Sequence, residues 1–247
     1  MSIGMTPTET PFRLFCVFPH PDDESFLMGG TIAACTQSGL ADVSLYTLTR
    51  GERSRNAAAQ NIHPTDMARI RSAEVRNAAE ILGIGLHYQG EYPDGGLRDL
   101  DLRVLERDIA EKIRAIDPHV ICTFDVQGGS VHPDHITMHH VVKRVFLDLV
   151  ETGTSLQRLC FCVLPKERIA AWPRAVFGVD AERIHAIISV GQYREIEQAA
   201  VKAHHSVQRD VDENTFDDWM LWENEYFSFY GEQFHPAVDS LFHGLSK

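Results

Sequence analysis

Two short clusters of titratable residues carry the chemistry this chain can offer: His20-Pro21-Asp22-Asp23-Glu24 and, far along the sequence, His132-Pro133-Asp134-His135. Catalytic zinc commonly takes three protein ligands drawn from imidazole and carboxylate and leaves the fourth position to water. His20, Asp23 and His135 supply such a set. A proline between His20 and Asp23 lets one turn aim both at a single point, with Asp22 facing the water. A bound ion lowers the pKa of that water to about 7, and Asp22 is then suited to act as general base. Attack on an amide carbonyl builds negative charge on oxygen, and His132 is the donor expected to meet it. The proton for the leaving amine comes from Asp22 or from a protonated His132, and the sequence leaves both open. Such ligands also accept Fe(II), Co(II) or Mn(II), so zinc is the first choice among several metals.

Each residue alone has a plainer reading. Asp22 and Asp23 ahead of a helix serve equally well as caps, and His132 and His135 are two of 13 histidines. What joins them is the order of elements. Phe12–Phe18 reads as a strand and Glu24–Ser38 as a helix; Asp42–Leu48 as a strand and Met67–Leu82 as a helix closed by Gly83. Leu86–Gln89 is a weak third strand, 100–116 a helix ended before Pro118, Val120–Phe124 a buried strand and 133–150 a helix. Strands alternating with helices predict an α/β, Rossmann-like fold, its mostly parallel sheet covered by helices on both faces. Ligands in such sheets bind beyond the carboxyl ends of the strands. Both clusters fall there, after the first strand and after Val120–Phe124. The last third is less regular, with strands expected at 159–164 and 184–190 and helices at 193–204 and 217–229. One domain over residues 12–247 is expected, after a loose tail at 1–11.

The formal charge of -12, from 35 acidic against 23 basic residues, repels nucleic acid and anionic membranes. No apolar run approaches the roughly 20 residues that span a bilayer, and residues 1–11 lack the pattern of a signal peptide. The five cysteines are odd in number and sit mostly in apolar runs, which suits a reducing cytoplasm. Alternation across Cys160-Phe161-Cys162 reads as buried thiols rather than a metal pair.

The two clusters, together with Met28-Gly29-Gly30-Thr31-Ile32-Ala33, Arg50-Gly51-Glu52, the pair Arg71 and Glu74, 78–83 and Asp94-Gly95, resemble the LmbE-like (PIG-L) zinc deacetylases. The resemblance covers residues 12–145 well. It is weaker beyond, where Tyr193 and Lys202-Ala203-His204-His205-Ser206-Val207-Gln208 are similar to the family's Ala-x-x-His-x-Ser/Thr-Gln segment, with Val207 at the Ser/Thr position. The resemblance implies hydrolysis of an N-acetyl group from a glucosaminyl compound. It implies His20, Asp23 and His135 as zinc ligands, Asp22 as base and His132 as oxyanion stabiliser. A tyrosine that polarises the carbonyl in some members is missing, since Gly128-Gly129-Ser130-Val131 stand where Gly-Gly-Tyr-Gly is frequent.

Within the family, 131–135, 18–20 and the 51–56 loop most resemble the branch that deacetylates N-acetylglucosaminyl malate in bacillithiol synthesis. Arg50, Arg53 and Arg55 cluster in an otherwise acidic chain, which suits a substrate bearing carboxylates, although pairing with Glu52 or surface acids is the plainer alternative. Arg71 and Glu74 lie one helical turn apart and are able to pair; the resemblance implies that Arg71 reaches a substrate hydroxyl. Asp94 is expected at a sugar hydroxyl or simply in a turn, and His139 as support on the His135 side of its helix. The aromatic group Trp219, Trp222, Tyr226, Phe227, Phe229 and Tyr230 favours core packing, or a subunit contact in a homo-oligomer, over sugar stacking. The expected partner is therefore a small amino-sugar conjugate. Two other readings stand beside it: an amidase acting on low-molecular-weight thiol conjugates, and a non-catalytic sugar-binding domain, which intact Asp22 and ligands argue against.

Overall fold

A computed structural model describes residues 10–54, 57, 61–170, 176–208 and 223–247. The chain runs β1 (Phe12–Phe18), α1 (Asp23–Ser38), β2 (Ala41–Thr49), α2 (Pro64–Ile81), β3 (Leu86–Tyr92), α3 (Leu102–Ile116) and β4 (Val120–Phe124). It continues through α4 (Pro133–Leu149), β5 (Arg158–Val163), β6 (Ala186–Ser189), α5 (Arg194–Ala203) and β7 (Asn224–Phe229). Helix ends obey local chemistry: the His63 ring accepts from Thr65 N–H with Pro64 next in line, Asp101 caps α3, and Gly39 ends α1 in the left-handed region.

The strands form one seven-stranded sheet in the order β3-β2-β1-β4-β5-β7-β6. β1 to β5 are parallel, and β7 runs antiparallel to both β5 and β6. Period-two alternation sorts each strand between two cores. Leu14, Cys16, Phe18 and Cys122 pack with Met28, Ile32, Val75 and Ala200 from α1, α2 and α5. Phe15, Val17 and Ile121 pack on the other face with Ile109, Ile113, Met138 and Val142 from α3 and α4. Helices cover both faces, as the sequence predicts, and Cys160 and Cys162 share the first core while Phe161 joins the second.

Strand order reverses between β1 and β4: from β1 the chain winds outward through β2 and β3, then returns to lay β4 against the other side of β1. The crevice of a doubly wound sheet opens at this point. The two clusters are the segments that leave β1 and β4.

One expectation fails. The helix expected at 217–229 is instead strand β7 over its last six residues, hydrogen-bonded on both sides. Its aromatic spacing is compatible with either element, and vacant strand edges on β5 and β6 decide the outcome. Phe227 and Phe229 are buried core residues, whereas Trp219 and Trp222 lie outside the described residues.

β7 also shapes the site. Helix α1 breaks at Met28, and the freed N–H groups of Gly30 and Thr31 donate to the Glu225 carboxylate at 2.9 and 2.8 Å. A Cβ on Gly30 would stand 2.6 Å from Val190 Cβ. Gly30→Ala is therefore expected to destabilise the fold by about 1–2 kcal/mol in urea unfolding, overriding the roughly 1 kcal/mol that alanine otherwise adds to a helix. An unchanged or higher midpoint would show that this contact yields freely.

Candidate metal and hydrolytic centre

His20 lies just beyond β1 and is buried. Its Nε2 faces two carboxylates, Asp134 Oδ2 at 3.1 Å and Asp94 Oδ1 at 3.2 Å. A proton on Nε2 satisfies both, which directs Nδ1 toward His135. His135, on the first turn of α4, has its Nδ1 2.9 Å from the Gly128 carbonyl oxygen. A carbonyl accepts only, so this nitrogen carries the proton and Nε2 is bare. His20 Nδ1 and the bare His135 Nε2 stand 3.1 Å apart. A proton on His20 Nδ1, or a metal ion in its place, satisfies that approach.

Asp23 completes the arrangement. Its Oδ2 lies 3.5 Å from His20 Nδ1 and accepts the His20 backbone N–H at 2.9 Å, while its Oδ1 lies 3.5 Å from His135 Nε2. Donor nitrogens of His20, His132 and His135 lie within 4.8 Å of one another, and with Asp23 beside them they are of the ligand types a zinc-sized ion takes. The carboxylate and carbonyl behind the two rings are the partners that ordinarily orient metal-bound histidines. Electrostatics agree. Burial lowers the His20 pKa but Asp134, Asp23 and Asp94 outweigh it and hold the value well above the imidazole range. Burial takes His135 down to about 4, so its imidazole is neutral at neutral pH. Burial raises Asp23, and His135 and His20 more than offset this to keep it ionised.

Asp22 stands beside the ligands with φ of 105°, a left-handed backbone that costs a non-glycine residue about 1–3 kcal/mol. Burial pushes its carboxyl up to about 7, against the pull of Arg71. The Arg71 guanidinium donates to Asp22 Oδ2 at 2.8 Å, to the Gly51 carbonyl at 3.3 Å and to the Pro21 carbonyl. His132 caps α4, its Nδ1 accepting Asp134 N–H at 3.2 Å, so Nε2 bears the proton of the neutral ring. Its ring centroid is 4.7 Å from that of His20 and 4.9 Å from that of His135. Burial and then His20 hold its pKa below the usual imidazole value.

The fold thus gathers His20, Asp22, Asp23, His132 and His135 at one place. The expected substrate residues are arranged differently. Arg71 is buried behind Asp22 rather than presented to a ligand, and Glu74 does not pair with it but accepts from Ser206 N–H and Oγ at 2.8 and 2.7 Å. Asp94 is buried, shared between His20 and the Arg53 N–H at 2.7 Å. Arg50 pairs with Glu91 and lines a cleft of about 600 Å³ with Arg69, Arg76 and His87, apart from the ligands. Arg55 lies outside the described residues. His139 Nδ1 donates to the Phe124 carbonyl at 3.1 Å, and Phe124 stacks on the His135 ring at 3.8 Å.

Several residues of this frame had no role in the sequence reading. Asp134 is fully buried, and besides His20 it accepts Gly95 N–H at 2.7 Å and Leu97 N–H at 3.1 Å. Gly128 has φ of 59°, and a Cβ there would stand 2.7 Å from His135 Cβ. Glu24 and His204 form a buried pair behind Asp22. Asp134 and Glu24 sit inside the two clusters, which is the signal that was there to use.

A Rossmann-like sheet with a His/Asp cluster at its switch point places the chain among α/β proteins with a candidate metal site. The chain belongs to the PIG-L family: residues 15–146 match the family described as GlcNAc-PI de-N-acetylase. Among curated relatives, it is 32% identical to the 1D-myo-inositol 2-acetamido-2-deoxy-alpha-D-glucopyranoside deacetylase of Kineococcus radiotolerans over 56% of this chain and 46% of that one. The chain thus spans under half the length of that relative. The corresponding deacetylase of Segniliparus rotundus is 32% identical over 81% of this chain and 78% of its own, and the mycothiol S-conjugate amidase of Streptomyces coelicolor 28% over 87% and 72%. Solved structures share the fold. N,N'-diacetylchitobiose deacetylase from Pyrococcus horikoshii aligns with TM-score 0.67 at 18% identity over 88% and 83% of the chains. GalB, a 4-carboxy-2-hydroxymuconate hydratase from Pseudomonas putida, aligns with 0.66 at 16% over 93% and 99%.

If the facing His20 and His135 nitrogens are a metal seat, zinc or cobalt at about 1,000 times its Kd should stabilise the fold by about 4 kcal/mol. For a chain of this size that raises Tm by roughly 8–16 °C. His135→Ala should abolish the shift. A melting curve indifferent to metal in the wild type would remove the seat.

Proposed function

We propose that the chain is a metal-dependent hydrolase that removes the acetyl group from an N-acetylglucosaminyl conjugate. The observation that carries this reading is the 3.1 Å approach of His20 Nδ1 to His135 Nε2 beside Asp23, with the Asp22 carboxylate alongside. His20, Asp23 and His135 would hold the metal. When bound, such an ion polarises a carbonyl and makes water nucleophilic near neutral pH.

The remaining work falls to this chain's own groups. Asp22 in its ionised form accepts the proton of the attacking water, and Arg71 fixes the carboxylate that does so. The Nε2–H of His132 donates to the oxygen of the attacked carbonyl as charge gathers there. As the C–N bond breaks, the proton reaches the leaving amine from Asp22 or His132, giving acetate and a free amino sugar. Ser130 is exposed and is no substitute for a phenol, so His132 is the donor on this side.

For the aglycone, inositol ranks ahead of malate. The named relatives act on an inositol glycoside, and Arg50, expected to receive malate carboxylates, is engaged with Glu91. The amidase reading has its own support in the mycothiol S-conjugate amidase, which aligns with 87% of this chain. Turnover of the inositol glycoside, the malate glycoside and a thiol conjugate, followed by free-amine release, separates the three. No hydrolysis of any of them would overturn the reading.

Asp22→Asn should keep the metal and lower kcat by about 10²–10⁴-fold; activity near wild type would rule Asp22 out as base. Arg71→Gln removes the cation that pulls the Asp22 pKa down. The base works only when ionised, so activity is lost as pH falls through its pKa, and the variant's acid limb in kcat/KM should move to higher pH. A limb that stays in place or moves down would contradict the assignment.

A further inference from the structure

Glu24 and His204 are both fully buried and 180 positions apart. Glu24 Oε1 accepts from His204 Nε2 at 2.8 Å and from Ser25 Oγ at 2.7 Å. Its other oxygen, Oε2, accepts the backbone N–H of Asp22 at 3.1 Å. Asp22 is the residue whose φ of 105° the chain must hold against its intrinsic preference. Beyond His204, Ser206 binds Glu74 on α2, one turn from the Arg71 that grips the Asp22 carboxylate. Asp22 is therefore held at both ends: its side chain through Arg71, and its backbone through Glu24. The segment 204–206 braces both holds from the C-terminal third.

We propose that Glu24 and His204 are a positioning pair, whose shared hydrogen bonds fix the backbone of Asp22 so that its carboxylate meets the reacting water. The inference rests on the hydrolase reading above. Neither residue touches the metal ligands' donor atoms; both act through Asp22.

The geometry supplies a sharp test. The carboxylate of Glu24 accepts on both oxygens at once, which an amide does not do, because its nitrogen only donates. Glu24→Gln must therefore give up one of these bonds or force His204 into the tautomer whose proton sits on the buried, unpartnered Nδ1. On His204 only Nε2 has a partner; Nδ1 is buried and bonded to nothing among the described residues. The side-chain nitrogen of glutamine reaches the Nε2 position and that of asparagine the Nδ1 position. His204→Gln should restore what His204→Asn and His204→Leu lose.

Glu24→Gln, His204→Asn and His204→Leu are expected to lower kcat on the order of 10–100-fold with KM within about threefold and metal content unchanged, while His204→Gln stays within about fivefold of wild type. Asn and Gln variants of equal activity, or a fully active Leu variant, would reduce His204 to packing and overturn the pair. The Asp22 amide cross-peak in 15N–1H spectra gives a readout independent of turnover. It should move in Glu24→Gln and His204→Asn and stay in His204→Gln; a peak indifferent to all three also overturns the inference. Wild-type protein inactive on every substrate would sink the hydrolase reading alone, and the cross-peak would still decide whether the pair positions Asp22.

Discussion

The centre of this protein is organised by the close approach of two imidazoles. Outer partners orient both rings so that His20 Nδ1 and His135 Nε2 face each other across 3.1 Å. Each lock is built from distant chain: Asp134 and Asp94 behind His20, the carbonyl of Gly128 behind His135. Such an approach calls for positive charge between the rings, supplied by a proton on His20 or by a metal ion. The same carboxylates raise the His20 pKa, which expresses the same preference for positive charge. Oriented rings of this kind are what give a metal site its precision, because the ligands need not search for their geometry.

Around that point the structure stores strain and pays for it by connection. Asp22 sits at a positive φ and Val131, a β-branched residue, at φ of 59°, on either side of the site. Such conformations persist where surrounding contacts over-determine them. For Asp22 the contacts are Arg71, Glu24 and, through Glu24, His204. For the 128–131 turn they include the Phe177 N–H, which donates to the Gly129 carbonyl at 2.7 Å. The less regular last third of the chain is thereby part of the site's scaffold, through His204, Ser206 and the Glu225 cap on the broken α1 helix.

The fold by itself does not name a reaction. Deacetylases and a hydratase share this architecture at low identity, as expected when chemistry resides in loops at the sheet's switch point. Family membership narrows the range, and the proposed reaction rests on the local set of one base, three ligand groups and one donor histidine. The arginines illustrate the distinction. Arg50, Arg53 and Arg55 invite an anionic substrate by their spacing, yet Arg50 is engaged with Glu91, as Arg71 farther along is with Asp22.

The sequence by itself determined the alternating β/α order, the two buried faces and the two His/Asp clusters, because strand alternation, helix caps and short-range ligand spacing are local properties written in neighbouring residues. It also held Asp134, Glu24 and Gly128 in plain view without revealing their work. Tertiary structure alone decided how each histidine ring is oriented, since that depends on partners such as Asp94 and Gly128 brought from elsewhere. It turned Arg71 and Asp94 inward, where burial made them partners of Asp22 and His20. It also made 224–229 a strand, because open edges on β5 and β6 offered hydrogen bonds that no local periodicity records.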